Sequence, residues 1–300
     1  MYTIQSLDLH FQKEAHTIAS FLVSDHEHRL LVETGPESTW LQLVEQLQSH
    51  DLRPGDIDAV LLTHIHFDHA GAAWKFAEAG ARIYVHPLGL PHLENPEKLW
   101  QSAARIYGKD NMLQLWGTMK PIDPEQLVPT RDMEAIFFGN MTFVPVHTPG
   151  HAIHHVAWKL DHNVFTGDVA GVAIQGGPVV PPCPPPDIHL EHWKASIAKI
   201  RALAPETLYL THYGSVTAIG KHFQALEKTM EDWAAWMKIE FDAGTAPEVI
   251  TEKFMAYTEQ QLANQGVDRS LRERYELANP SWMSVSGLLR YWKLKESGKI

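Results

Sequence analysis

Four side chains able to hold a metal ion fall within six consecutive positions: His64, His66, Asp68 and His69, in the run His64-Ile65-His66-Phe67-Asp68-His69. The residues before them, 58–63 (DAVLLT), read as a buried strand, and a small-residue helix is predicted after them over 72–79. In an extended chain positions i and i+2 point the same way. The imidazoles of His64 and His66 can therefore converge on one cation. At the turn into the helix the backbone changes direction, so Asp68 and His69 can aim at an adjacent point. Imidazole and carboxylate donors suit zinc, and also iron or manganese. Ions so held acidify water and polarise carbonyl oxygens.

Three further candidates share one property. His151 follows a strand-like run and the turn Thr148-Pro149-Gly150, Asp168 follows Gly167, and His212 follows Thr211 and precedes Tyr213-Gly214. Each sits at the exit of a predicted strand. Strand exits of an α/β sheet lie along one rim, where sites form.

The elements that must position these residues can be read from pattern. Short strands are predicted at residues 17–24, 28–33, 58–63, 81–86, 135–138, 141–147, 163–166 and 207–211. Ser38 is expected to cap a helix whose apolar face is Trp40, Leu41, Val44 and Leu47. Residues 87–131 read as a largely helical insertion. The proline-rich stretch 176–186 cannot be regular helix or central strand and is expected to be a rigid surface loop. Asp187 is expected to open a helix through Trp193, Ile197 and Ile200. From residue 221 onward the pattern is helical, which divides the chain into a catalytic region, 1–220, and a helical C-terminal extension, 221–300.

Bulk properties bound the reading. Hydrophobic residues make up 44% of the 300, enough for a sizeable core. A formal net charge of -11, with no Lys/Arg-rich run, argues against a nucleic-acid partner. A single cysteine, Cys183, excludes an internal disulfide and is expected to be a plain loop residue. The opening MYTIQSLDLHF has no basic stretch followed by an apolar run, and no apolar run approaches the ~20 residues of a membrane span. No membrane association and a cytoplasmic location are the expectations. Among 19 histidines, His154 and His155 are placed to support the cluster, while His86, His189 and His192 read as surface or packing residues.

The chain resembles the metallo-β-lactamase-fold hydrolase superfamily over roughly residues 15–220. Its HxHxDH motif is complete at His64 to His69, and His151 in TPGH, Asp168 in FTGD and His212 in THYG follow in order. The resemblance implies an α/β fold, a four-layer αββα sandwich with the site along one edge of its sheets. It also implies two metal ions, one held by His64, His66 and His151, the other by Asp68, His69 and His212, with Asp168 between them. A water shared by two such ions, about 3.5–4 Å apart, would supply hydroxide, with Asp68 orienting it or passing its proton on. One departure stands out: Glu33-Thr34-Gly35 occupies the place of an Asp-Thr-Gly, so the groups behind the ligands are expected to be arranged differently.

The expected activity is dinuclear hydrolysis of a small ester, thioester or lactone, in the manner of a glyoxalase II or a lactonase, with zinc the first choice of metal. The alternatives are a mononuclear iron oxygenase acting on persulfides and a non-catalytic binding module. Tyr213 is the most plausible additional site residue by position, and Phe67, Tyr107 and Trp116 are candidates to line a pocket. The aromatic C-terminal helices are expected to pack on the main body, to cover the site or to form a homodimer contact.

Overall fold

Two six-stranded sheets face each other in the computed structural model, which describes residues 1–300 throughout. The first contains β1 (Thr3–Asp8), β2 (Ala19–Ser24), β3 (Arg29–Val32), β4 (Ala59–Leu61), β5 (Arg82–Val85) and β6 (Leu127–Pro129), in that spatial order. β1–β3 pair antiparallel, and β3–β6 run parallel. The second contains β7 (Ile136–Phe138), β8 (Met141–His147), β9 (Val156–Leu160), β10 (Asn163–Phe165), β11 (Thr207–Leu210) and β12 (Gly214–Val216). Its one parallel pair is β10 with β11.

Strict alternation along the strands builds the layers. Phe21, Val23, Leu30, Val32 and Leu61 of the first sheet meet Phe143, Trp158 and Phe165 of the second in a buried inter-sheet core. The intervening residues Leu22, Leu31 and Val60 face the other way, onto α1 (Trp40–Gln48), α2 (Phe67–Ala70) and α3 (Ala73–Glu78). The same outer layer takes in α4 (Leu90–Glu94), α5 (Glu97–Tyr107) and α6 (Lys109–Trp116). On the far side, Ala157, Val164 and Leu208 pack under α7 (Leu190–Ala202) and the long α8 (Ile219–Asp242). The helices α9 (Pro247–Asn264), α10 (Arg269–Ala278) and α11 (Ser281–Glu296) complete that layer. This is the expected four-layer αββα sandwich with a helical C-terminal part.

Several local expectations are corrected. β1 is absent from the expected strands: TIQSLD is mostly polar because it is an edge strand with little to bury. β9 (VAWKL) and the three-residue edge strand β12 are likewise absent from the expected strands. The helical stretch after residue 87 ends at Trp116, and β6 lies inside the range expected for an insertion. Ser38 does not cap α1; its hydroxyl donates to the Leu115 carbonyl at 2.6 Å. Leu41 is exposed, and the buried face of α1 is Leu43 and Leu47, an i,i+4 pair. The helix expected at Asp187 starts at Leu190, capped by the His189 ring, which accepts from the His192 amide.

The proline-rich segment is not a surface loop. Val179 to Cys183 are buried beneath the C-terminal helices. Such a segment needs partners for its backbone polar groups, and side chains of α10 and α11 supply them. The Tyr275 hydroxyl donates to the Pro178 carbonyl at 2.7 Å and Arg290 Nε to the Pro186 carbonyl at 2.9 Å, while the Ser284 hydroxyl accepts from the Cys183 amide at 3.3 Å. At Gly287 the helix comes so close that an added Cβ would stand 2.0 Å from the Cys183 carbonyl oxygen. Cys183 is therefore a buried packing residue, and burial pushes its thiol pKa well up.

Candidate metal centre

The two sheets are stitched together where the site lies. The Val156 amide donates to the Thr63 carbonyl at 2.7 Å, and the Ala19 amide to the Thr211 carbonyl at 2.8 Å. Just beyond these seams the chain leaves β4 into His64–His69, β10 into Asp168 and β11 into His212, and it returns from β8 through His151. Gly167 has φ +48 and leaves no room for a side chain: a Cβ there would stand 2.4 Å from Thr63 Oγ1. That contact draws the Asp168 turn against the end of β4.

All seven residues singled out in the sequence come together. His64, His66 and His151 form one group able to hold an ion, and Asp68, His69 and His212 form another, the donor atoms of each within 4.8 Å of one another. His66 Nδ1 lies 2.9 Å from His64 Nε2 and 3.1 Å from His151 Nε2. In the second group, Asp68 Oδ2 lies 3.4 Å from His212 Nε2 and 3.7 Å from His69 Nε2. Asp168 stands between them: Oδ2 faces His151 Nε2 at 3.3 Å, and Oδ1 faces His69 Nε2 at 3.3 Å and His212 Nε2 at 3.7 Å.

The nitrogens on the far side of the rings are fixed by partners. His151 Nδ1 donates to the Pro182 carbonyl at 2.9 Å, and His212 Nδ1 to the Thr17 carbonyl at 2.7 Å. His69 Nδ1 donates to Glu33 Oε1 at 3.0 Å. The Thr63 hydroxyl donates to the same carboxylate, so His64 Nδ1–H donates to Thr63 Oγ1, at 3.0 Å. Each of these four rings thus turns a bare Nε2 inward, the tautomer a metal ligand requires. Glu33, His64 and His69 also lie close enough to count as a third group. Its carboxylate already serves Thr63 and His69, so Glu33 belongs behind the ligands.

These residues fit a cation. His69 Nε2 and Asp168 Oδ1 are buried without a hydrogen-bond partner, and three imidazole nitrogens meet at one point in the first group. Orphaned buried polar atoms are costly, and a positive ion would satisfy them. Burial, reinforced by neighbouring histidines, lowers the pKa of His64 well below the ordinary value and that of His66 to about 3. Burial alone would raise Asp68 and Asp168, but the facing histidines together outweigh it, His69 foremost. With His212, His69 brings Asp68 down to about 2, and with His151 it brings Asp168 well below the carboxylate range. Burial opposes charge on His69 and His212 too, yet the facing carboxylates raise both.

Sequence reasoning missed Thr63, Thr17 and Pro182. Thr63 carried a faint signal, a hydroxyl directly before the motif. Thr17 and Pro182 act through backbone carbonyls, which carry no residue identity. His155 stacks on His64 with ring centroids 5.1 Å apart and its Nδ1 lies 2.8 Å from Thr148 Oγ1, and His154 lines the adjoining cleft with its ring 5.8 Å from that of His66. Phe67, Tyr107 and Trp116 line the same cleft, as expected. Tyr213 does not line it and packs edge-on to His16 at 4.8 Å. His86 packs on His147, and His189 on His192.

A family model for the metallo-beta-lactamase superfamily matches residues 15–212. A metallo-beta-lactamase fold-containing protein of Sulfurisphaera tokodaii is 30% identical over 165 residues, 54% of this chain and 62% of that protein. A hydroxyacylglutathione hydrolase of Psychromonas ingrahamii is 24% identical over 145 residues, 48% of this chain and 43% of that protein. The matches thus span from under half to under two thirds of these curated relatives. The crystal structure of a metallo-beta-lactamase family protein from Thermus thermophilus superimposes with a TM-score of 0.70 at 18% identity, covering 99% of this chain and 94% of that one. The shared fold therefore includes the C-terminal helices. With the family model matched over most of its length, the chain belongs to the metallo-beta-lactamase superfamily.

Proposed function

We propose that the chain is a hydrolase that carries two divalent ions, zinc foremost, and opens a small ester, thioester or lactone. The observation that carries this reading is Asp168, whose two carboxylate oxygens face two separate groups of histidines. His64, His66 and His151 would hold one ion, Asp68, His69 and His212 the other, and Asp168 would join them. When bound, the ions would lower the pKa of a shared water from about 15.7 toward ~7 and polarise the substrate carbonyl.

The protein's own groups do the rest. Asp68 has 21% of its side chain exposed, against 5% for Asp168, and lines the cleft. Held ionised, it accepts the proton of the attacking water as the water oxygen bonds to the acyl carbon. It returns that proton to the leaving oxygen or sulfur as the acyl bond breaks. Membership in the superfamily and the likeness to a hydroxyacylglutathione hydrolase support the reaction class.

The test is elemental analysis of protein purified without added metal, paired with a panel of small lactones, thioesters and esters. About two ions per chain with hydrolysis of any member is the expected result. One iron per chain, oxygen uptake with a persulfide and no hydrolysis would replace this reading with the oxygenase.

A further inference from the structure

We infer that the substrate is a neutral ester or lactone bearing an extended apolar chain or ring; the inference rests on the hydrolase reading and narrows its substrate class. The centre opens into a cleft of about 810 Å³, at the upper end of the size of small-molecule sites. His66, Asp68, Asp168 and His212 of the centre form part of its lining. The rest is built from two places far apart in sequence. Phe67, Leu99 and Trp116 come from the α2 and α5–α6 side, and Trp282 and Met283 from α11. The two sides touch through Tyr107, whose hydroxyl donates to Met283 Sδ at 2.8 Å and whose ring stands edge-on to Trp282 at 5.7 Å.

Two observations select the ligand. Leu88, Ile106, Ile153 and Met255 line this cleft, yet they are 53%, 39%, 49% and 38% exposed. Single exposed apolar side chains are ordinary, but several gathered along one opening mark a binding surface. The second is charge. Asp68, Asp168, Asp187 and Glu276 line the cleft, and Lys98 is its only lysine or arginine. Two ions at the centre would offset Asp68 and Asp168, leaving Asp187 and Glu276 against Lys98 among the other lining residues. Away from the ions, a leaving group carrying phosphates would meet two carboxylates and a single lysine, whereas a neutral apolar tail loses only water.

The experiment compares butyryl, octanoyl and dodecanoyl esters of one neutral alcohol on the purified full-length, metal-loaded protein, with octanoyl-coenzyme A as the anionic competitor. kcat/KM should rise at least about tenfold from butyryl to octanoyl, and the neutral octanoyl ester should exceed the coenzyme A thioester. The Ile106→Lys/Ile153→Lys double variant should bring the octanoyl-to-butyryl ratio within about twofold. A flat or falling chain-length profile, a preference for the coenzyme A thioester, or an unchanged ratio in the variant overturns the inference. Calorimetric binding of octanol against butanol to the same preparation reads the cleft without hydrolysis. If no ester, thioester or lactone is cleaved but octanol binds at least about tenfold tighter, the hydrolase reading fails and the apolar site stands. Equal binding of both alcohols sinks the inference.

Discussion

Glu33 Oε1 accepts a hydrogen bond from His69 Nδ1 at 3.0 Å, with both side chains wholly buried. The same carboxylate accepts from the Thr63 hydroxyl and, through Oε2, from the Thr63 amide at 3.3 Å. One residue before the first turn thus sets the ring of one candidate ligand directly and that of His64 through Thr63. Glu33→Gln keeps the size and removes the charge-assisted acceptor. Chelator competition should show metal affinity lowered roughly 10–100-fold, and an unchanged affinity would deny Glu33 this role.

Asp68→Asn tests proton transfer separately from metal holding. An amide can still offer an oxygen to a cation but cannot take a proton. kcat for a reactive ester should fall by roughly 10²–10⁴-fold while elemental analysis still finds metal. Full activity with retained metal would remove the proton-shuttle role.

The contact between α11 and the proline segment should govern stability. Gly287→Ala places a methyl against the Cys183 carbonyl, backbone against backbone, where neither side can swing away. A loss of about 1–3 kcal/mol is expected from such overpacking, read as a lower denaturant midpoint with an unchanged m-value. Trp282 and Met283 would shift with the helix, so chain-length preference should weaken in parallel.

His86 makes stability depend on pH away from the centre. Burial, with His147 beside it, lowers its pKa from 6.5 to about 4, and its Nδ1 accepts from the Leu88 amide at 3.0 Å. Protonation would put a second hydrogen into that bond. The unfolded chain takes up this proton first, so the contribution is present above pH 6.5 and is lost as pH falls toward about 4. His86→Asn retains an acceptor and cannot titrate. Its thermal midpoint should fall less between pH 7 and pH 4.5 than that of the wild type.

The centre was legible in the sequence where covalent spacing fixed geometry. His64, His66, Asp68 and His69 lie so close along the chain that a strand ending in a helical turn leaves them little choice of direction. His151, Asp168 and His212 were legible through their common place at strand ends. Glu33 was legible only through the resemblance, as a group behind the ligands, because nothing local distinguishes a glutamate just past a strand from one enclosed by Thr63, His69 and Thr211. The proline segment misled for the same reason. Its composition rules out regular structure, but its burial depends on Tyr275, Ser284 and Gly287, about a hundred residues further on. Tyr213 misled in the opposite sense: adjacent to His212 in sequence, its ring turns toward His16.

The division of the candidate ligands between the sheets carries a consequence for the chain as a whole. His64, His66, Asp68 and His69 follow β4, while His151, Asp168 and His212 follow strands of the other sheet, and the short exposed link at 131–134 joins the two halves. A polypeptide cut within that link would yield two fragments, each holding an incomplete set of donors. Ions bound at the centre would then act as a clasp between separate molecules. Reassembly of the fragments would become metal-dependent and reversible by chelation, turning the same geometry into a switchable cross-link.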